Sequence, residues 1–226
     1  NKSRKFSDVN SSIDQIKDAF SKAERPIIMI GNGVRLSGKL ECFLSLVELL
    51  SIPVVTGWNA HDILPTSHRL FAGKPGTIGD RAGNFSVYNA DFILILGCRM
   101  NIRQISYNWR SFGKFAKIAM VDIDISELNK PTLALNMKLH LPLEIFLPAL
   151  KKAMKKWRPK NKHMEFLAWC KLRLDAYPVL TKQKLITDHN INPYAFFSEL
   201  YKQTDVNDVI VLANGTACVI GNQSIK

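Results

Sequence analysis

Residues 26–33 have the sequence PIIMIGNG, in which the wholly apolar run Pro26–Ile30 stops at Gly31-Asn32-Gly33. Apolar runs of this length are typical of strands that are buried on both faces, as in parallel sheets. The small residues that follow let the backbone come close to a neighbouring element or to a ligand. This stretch therefore predicts the first strand of a parallel sheet and a close turn at its carboxyl end.

The pattern recurs along the chain, and each further run ends at a glycine or at an acidic or polar turn. These runs are residues 52–55, 92–96, 118–121 and 209–212, with a weaker strand at 137–141. Segments whose apolar residues recur at helical spacing lie between several of the runs, and strand–helix–strand units of this kind cross over right-handed. We predict an α/β fold with a parallel, doubly wound, Rossmann-like sheet, followed by the truncated start of a second α/β domain.

Apolar positions at helical spacing and capping residues place the predicted helices. The spacing predicts helices over residues 13–20, 37–50, 81–90, 143–154, 165–176 and from 193 onward. Ser11 or Ser12 is expected to cap the first, Asp80 the third and Asn192 the last. Between them, residues 59–79 contain prolines and glycines that predict a long loop over the sheet.

Three segments follow from this pattern. We expect a nucleotide-binding-like central domain with a leading helix at residues 1–156, a linker and helix at 157–191, and the start of a second domain at 192–226. Residues 151–162 carry a run of lysines that predicts a solvated linker, with an anionic partner as the alternative. No nucleic-acid-binding motif surrounds the run, so we expect no nucleic acid partner.

Composition is that of an ordinary globular protein with excess positive charge. The 226 residues are 46% hydrophobic, with a formal net charge of +12. No apolar stretch approaches the ~18 residues of a membrane span, so we expect no membrane association. The cysteines, at positions 42, 98, 170 and 218, have no paired spacing and predict reduced thiols in a cytoplasmic protein.

Six short motifs occur in a fixed order along residues 31–124. They are Gly31-Asn32-Gly33, Pro53-Val54-Val55-Thr56, Gly73-Lys74-Pro75-Gly76, Ala90-Asp91, Gly97-Cys98-Arg99 and Val121-Asp122-Ile123-Asp124. This succession resembles the central domain of thiamine-diphosphate-dependent 2-oxo-acid enzymes, in particular the acetolactate-synthase-like group. The resemblance covers residues 6–155 and resumes at 192–223, which is similar to the opening of that family's diphosphate-binding domain.

The resemblance implies an enzyme when the protein is complete. It would be a carboligase or decarboxylase, a transferase or lyase acting on a 2-oxo acid such as pyruvate with thiamine diphosphate and Mg²⁺, and it would form a homo-oligomer. The cofactor carries that chemistry. The sequence has no Gly-Asp-Gly triplet and no domain supplying the family's activating glutamate. We therefore assign no catalytic residue and no metal ligand, and we expect this fragment alone to be inactive.

The resemblance also implies a cofactor site in the central domain, where some members bind FAD. Gly31, Asn32 and Gly33 would form a backbone cradle for a nucleotide, or simply a tight turn. Gly97, Arg99 and Arg103 match positions that contact FAD in flavin-binding relatives, with an arginine–loop ion pair as the alternative.

Two carboxylates and one turn complete the predicted cofactor-binding set. Asp122 and Asp124 would hold a ribose or adenine edge, or would cap the following turn. The motif Asn214-Gly215-Thr216-Ala217 matches the turn that touches the thiamine diphosphate tail in the family, and otherwise is a generic strand-to-helix turn.

Two departures weaken the expectation of FAD. Asn101 stands where flavin-binding relatives often carry an acidic residue. The segment His140-Leu141-Pro142-Leu143 replaces a Gly-Asp that usually precedes the last helix.

Other polar and aromatic residues receive structural interpretations. His61 and Asp62 are expected on the loop surface, and Trp58, Tyr107 and Trp109 are expected to fill the core rather than to stack on a ring. The histidines, at 61, 68, 140, 163 and 189, never pair at metal-ligand spacing.

Two further functions compete with the enzyme fragment. One is a non-catalytic FAD- or NAD-binding or scaffold module, because similar sheets have that role elsewhere. The other is a basic anion-binding protein that uses the lysines of residues 151–162.

Overall fold

The computed structural model describes residues 6–186, 190–205 and 207–225. These residues form one sheet of five strands: β1 Pro26–Ile30, β2 Val54–Thr56, β3 Phe92–Leu96, β4 Lys117–Asp122 and β5 Met137–His140. The strand order is β2-β1-β3-β4-β5, and every neighbouring pair is parallel. The predicted parallel α/β sheet is confirmed.

Helices connect the strands and extend beyond them. They are α1 Val9–Lys22, α2 Gly33–Leu36, α3 Leu40–Leu50, α4 Arg81–Asn89, α5 Ile102–Ile105, α6 Ile125–Leu128, α7 Leu143–Ala153, α8 Asn161–Ala176, α9 Pro193–Leu200 and α10 Thr216–Ser224. Single 3₁₀ turns lie at Trp58–Ala60, Trp109–Ser111 and Gln183–Leu185. Among the described residues, none of these helices is long and apolar enough to cross a membrane.

Both faces of the sheet are covered, which confirms the doubly wound arrangement. Successive side chains of a strand point to opposite faces. Ile28 and Leu94 therefore join a cluster with α1, α3 and α7 on one face, whereas Ile27 and Ile95 join a second cluster with α4 and α8 on the other. The edge-to-face pair of Phe20 and Phe92, with ring centroids 5.2 Å apart, anchors α1 to β3.

The chain reverses its winding direction between β1 and β3. From β1 it proceeds outward to β2 at one edge, and from β3 it proceeds through β4 to β5 at the other. In open α/β sheets such a switch point leaves a crevice at the carboxyl ends of the two central strands. Gly31 and Gly97 directly follow those ends.

Capping predictions for the helices hold in two of three places. Asp80 caps α4 through its bond to the Gly83 amide, and Asn192 caps α9 with Pro193 in its first turn. The prediction for α1 is wrong: Asp8 accepts from the Ser11 amide, so α1 begins earlier than predicted. Because carboxylates are as good at this position as hydroxyls, the spacing of apolar residues alone could not select the cap.

Two predicted helix boundaries differ from the structure. The helix predicted over residues 37–50 begins only at Leu40, because Gly38 adopts φ +66° and separates it from α2. The helix predicted from residue 165 begins at Asn161 as α8. His163, in its first turn, is buried: its Nε2 lies 3.0 Å from the Ala23 carbonyl oxygen and its ring stacks on Trp157. Part of the predicted linker is therefore a packed helix.

The strand predicted at residues 209–212 is wrong. These residues are in neither a strand nor a helix, and Val209 and Val211 are 86% and 88% exposed. A strand needs a neighbour for its backbone hydrogen bonds, and no described strand lies beside this run. Its apolar sequence is suited to a strand, but among the described residues no strand is paired with it.

Candidate functional site

A cleft of about 480 Å³ opens at the carboxyl ends of β1, β3 and β4. This volume is in the range of small-molecule sites, roughly 300–1,000 Å³. The lining residues come from six stretches of the chain: Gly31–Gly33 with Leu36 and Ser37, Gly57–Asn59, Gly97–Arg99, Asn101 with Arg103 and Gln104, Asp122 and Ile123, and Pro142–Glu144.

Most of the predicted site residues meet in this switch-point cleft. Gly31, Asn32, Gly33, Gly97, Arg99, Arg103 and Asp122 all line it. Asp124 does not: it caps α6 by accepting from the Ser126 amide at 2.9 Å. The turn at residues 214–217 lies in the C-terminal segment, outside the lining of the cleft.

The glycines of the cleft allow two turns to pack against each other. A Cβ on Gly31 would lie 2.4 Å from the Cα of Cys98 and the carbonyl oxygen of Gly97, and a Cβ on Gly33 would lie 2.7 Å from the Cα of Gly97. The Gly31 and Gly33 amides donate to the carbonyl oxygens of Leu96 and Gly97. These two N–H groups are thus hydrogen-bonded within the protein and are not available to a ligand. What the turns offer is a backbone that a ligand can approach closely.

Two arginines stand at the cleft in different states. The Nε of Arg99 donates to Glu127 Oε1 at 3.0 Å, which is the ion pair that the sequence left open, and Glu127 also pairs with Lys130. Arg103 forms no side-chain hydrogen bond or ion pair with any described residue, although its backbone N–H donates to Asn101 Oδ1. Among the described residues, Arg103 therefore has all its side-chain donors unused, whereas Arg99 uses only its Nε, and guanidinium donors of this kind suit a carboxylate or phosphate.

Besides Glu144 of α7, the cleft lining contains a second acidic residue, Asp122, at the end of β4. Burial raises the pKa of this carboxyl group, while the backbone amide of Asp124 donates to it at 2.9 Å and opposes that shift. His140 is buried next to it: its Nε2 lies 3.0 Å from the Ile123 carbonyl oxygen, and its ring packs against Phe6. The His140 side chain thus helps to hold the β4 turn.

Gln104 is a cleft residue that sequence reasoning missed. It is only 5% exposed, accepts from the Trp58 amide at 3.3 Å and donates to the Pro75 carbonyl at 2.6 Å. It therefore joins the turn after β2 to the long loop at residues 59–79. Its sequence signal was one of two adjacent polar residues between Ile102 and Ile105 in a short irregular segment, which is too weak to find it.

The interpretation of aromatic residues as core fillers is wrong for two of three. Tyr107 is 74% exposed and Trp109 is 40% exposed. Both follow the short helix α5 on the surface, where no sheet face is available to cover them. Trp58 is partly buried, lines the cleft, and packs edge-on against His61 with ring centroids 5.3 Å apart.

His61 is buried rather than on the loop surface, which corrects the prediction. It is 5% exposed, whereas Asp62 is exposed and pairs with Arg35 at 2.8 Å. Burial, together with the nearby ammonium of Lys74, lowers the pKa of His61 to about 3, although the nearby Asn222 carbonyl favours the protonated ring. With that pKa the ring is neutral at pH 7, and neither ring nitrogen has a hydrogen-bond partner among the described residues.

Lys74 is a second buried ionisable group on the same loop, 3% exposed. Burial lowers its pKa to about 8, partly offset by the Asp80 carboxylate. Asp80 accepts from the amides of Lys74 and Gly83, and burial raises its pKa. The Lys74 ammonium donates to the carbonyls of Asn222 and Ile225, at the end of α10.

The predicted diphosphate turn lies at the opposite end of α10. Gly215 has φ +83°, which favours glycine, and no atom lies within 4 Å of the position a Cβ would take. No side chain caps the helix, since Asn214 Oδ1 accepts only from the Gly215 amide. The first-turn amides are thus uncapped, an arrangement that suits an anion.

The residues of the cleft offer groups that can bind a ligand. Within the described ranges, no three His, Cys, Asp or Glu side chains come together to hold a metal ion. The buried thiol of Cys98, at the cleft, has its pKa raised to about 12 by burial and is no nucleophile near neutral pH. The cleft combines close backbone, the guanidinium groups of Arg99 and Arg103 and the carboxyl groups of Asp122 and Glu144, which suits a polar ligand with an anionic part.

Comparison with known proteins gives consistent matches. Residues 13–149 match the family model described as thiamine pyrophosphate enzyme, central domain. The chain is 40% identical over 119 residues to a probable acetolactate synthase large subunit of Methanococcus aeolicus, covering 51% of this chain and 20% of that protein. It is 33% identical over 163 residues to the acetolactate synthase large subunit of Lactococcus lactis, covering 72% of this chain and 27% of that protein.

The chain is also similar to a protein that is named as an acetyltransferase rather than as a synthase. The chain is 36% identical over 114 residues to a sulfoacetaldehyde acetyltransferase of Roseovarius nubinhibens, covering 50% of this chain and 19% of that protein. The chain thus spans between about a fifth and about a quarter of the length of these relatives.

Proposed function

The chain belongs to the family of thiamine pyrophosphate enzymes, whose central domain it matches, and we therefore propose that it is part of an acetolactate-synthase-like enzyme. The complete protein would decarboxylate a 2-oxo acid such as pyruvate and transfer the two-carbon unit to an acceptor. Relatives named as synthases and as an acetyltransferase support a transfer reaction. We further propose that it acts in the cytoplasm as a homo-oligomer.

Within that enzyme, the switch-point cleft would bind a nucleotide-like cofactor, with FAD as the candidate. The observation that carries this proposal is that residues 31–33, 97–99, 103 and 122, distant in sequence, line one cleft at the point where α/β sheets bind ligands. Arg103 would bind a phosphate group, and Asp122 would accept from a ribose hydroxyl. Arg99 would bind through its Nη groups while its Nε keeps the bond to Glu127.

The uncapped start of α10 would hold the diphosphate of thiamine diphosphate. The groups that suit phosphate oxygens are the amides of residues 216 and 217 and the Thr216 hydroxyl, which follow the exposed Gly215. The thiamine ring would supply the carbon nucleophile of the reaction. The sequence has no Gly-Asp-Gly triplet to bind Mg²⁺, so the 226 residues alone are expected to bind the cofactor weakly and to be inactive.

The exposed apolar run at residues 209–212 supports the proposed start of a second α/β domain at 192–226. Val209 and Val211 alternate with the half-buried Ile210 and Leu212, as in a strand with one covered face. In the complete protein, strands that this sequence does not include would flank the run and cover the exposed valines.

A specific observation favours a second candidate, a scaffold domain without a nucleotide. The Cβ positions of Gly31 and Gly33 are filled by backbone of residues 97 and 98, so the glycines are explained by packing alone. In that case the cleft would serve only as a surface between parts of the enzyme.

Nucleotide binding by two arginine variants separates the candidates. Purified chain would be titrated with ADP and with FAD by calorimetry. We expect Arg103→Gln to weaken binding about 10-fold or more, since a charge-assisted hydrogen bond contributes about 1.5–3 kcal/mol. Arg110→Gln, an exposed position outside the cleft lining, should leave affinity unchanged. Equal affinities of the two variants, or no binding by the unmodified chain, would favour the scaffold.

A further inference from the structure

The C-terminal segment, residues 190–225, is held to the sheet domain at one end of α10. Lys74 Nζ donates to the carbonyl oxygen of Ile225 at 2.7 Å and to that of Asn222 at 3.1 Å. Gln223 Nε2 donates to the Ile78 carbonyl at 2.7 Å, and Gln223 in turn accepts from the Tyr194 hydroxyl at 2.6 Å. These bonds join the loop after β2 to the last turn of α10.

The Lys74 contact has the chemistry of a helix C-cap supplied from outside the helix. The last carbonyls of a helix have no partner within it, and the carboxyl end of the helix dipole favours a cation. A lysine that is 3% exposed gives up most of its hydration, and the two carbonyls replace part of it. A buried ammonium in this position is thus best explained by the helix end that it binds.

The other end of α10 carries the turn at residues 214–217. A nine-residue helix is about 13 Å long and transmits the position of one end to the other. That turn makes few contacts of its own, since nothing surrounds Gly215 within 4 Å of its Cβ position. The anchored carboxyl end therefore fixes where the amino end stands relative to the sheet.

We propose that Lys74 is the positioning residue that fixes α10, and with it the turn at residues 214–217, on the sheet domain. The part that concerns cofactor rests on the proposed function of that turn. Lys74 itself touches no reacting group: it acts through the helix. The chain offers a matched control in Lys171, whose ammonium donates to the carbonyls of His68 and Phe71 on the same loop but touches no part of α10.

Hydrogen exchange tests the cap without any cofactor. In Lys74→Met, which keeps the length of the side chain and removes its donors, we expect the amides of residues 219–225 to exchange at least 10-fold faster. Amides of β3 should keep their protection. Lys171→Met should leave residues 219–225 unchanged. Unchanged exchange of α10 in Lys74→Met, or an equal rise across the sheet, would overturn the proposal.

Binding of thiamine diphosphate with Mg²⁺, measured by calorimetry on the same variants, tests the positioning role separately. We expect Lys74→Met to weaken binding at least 5-fold, Lys171→Met to have no effect, and Lys74→Arg to restore part of the affinity. If α10 loosens in Lys74→Met but affinity equals that of the unmodified chain, positioning is overturned. If the unmodified chain binds nothing, the proposed function of the turn fails, while the exchange result still decides the cap.

Discussion

The sheet domain and the C-terminal segment contain the same kind of sequence with different outcomes. Residues 92–96, FILIL, form β3 between two parallel neighbours and are almost completely buried. Residues 209–212, VIVL, are equally apolar, yet they form no strand and expose two valines. We infer that an apolar run forms a buried strand only where neighbouring strands provide hydrogen-bond partners and both faces are covered.

The largest expected effect comes from removing a side chain in the sheet domain. Phe92→Ala should lower the free energy of unfolding by about 3–5 kcal/mol, because it removes a buried ring and leaves a cavity beside Phe20. Val211→Ala should change it by no more than about 0.5 kcal/mol, since that valine is 88% exposed. Urea denaturation measures both. A comparable loss of unfolding free energy in the two variants would contradict the difference in burial between the two runs.

Much of the fold could be predicted because local patterns and global packing agree there. The strands of the sheet domain, their order of appearance and the cap at Asp80 follow from apolar runs and turn residues. The predicted residues at 31–33, 97, 99, 103 and 122 meet in one cleft because strand ends of a parallel sheet share one edge.

The rest depends on contacts between segments far apart in sequence. The burial of His61 and Lys74 could not be predicted, because it is created by α10, more than 140 residues later. Gln104 was missed for the same reason: its partners are the Trp58 amide and the Pro75 carbonyl. A polar residue in a loop carries no local signal of such partners.

A pH-dependent loss of stability tests the junction between the two regions. The folded pKa of His61 is about 3, below the usual value of 6.5, so unfolded chains bind a proton that the folded protein excludes. His61 therefore contributes stability that is present above pH 6.5 and is lost as pH falls toward 3. For this group the loss amounts to about 2 kcal/mol between pH 7 and pH 5.

His61→Leu should remove that part of the pH dependence while filling similar space. Unfolding free energies at pH 7 and pH 5 measure it for both proteins. His163, whose pKa is also lowered by burial, retains its own contribution in each and so serves as the shared background. The same difference between pH 7 and pH 5 in the variant and the unmodified chain would show that His61 is not buried at this junction.

The smallest effects come from the caps, and they reveal whether the two regions unfold together. Asp8→Ala removes the cap of α1, and Asn192→Ala removes the cap of α9; each should cost its helix about 1 kcal/mol. Because α1 packs on the sheet, we expect Asp8→Ala to lower the global free energy of unfolding. Asn192→Ala should instead raise local hydrogen exchange in α9 and leave the urea midpoint unchanged, because the C-terminal segment rests on few bonds to the loop at residues 59–79.

Ser11→Ala is the control for α1, since the Ser11 side chain does not cap the helix. A global loss of about 1 kcal/mol in Asn192→Ala would mean that the junction through Lys74 and Gln223 makes both regions one cooperative unit.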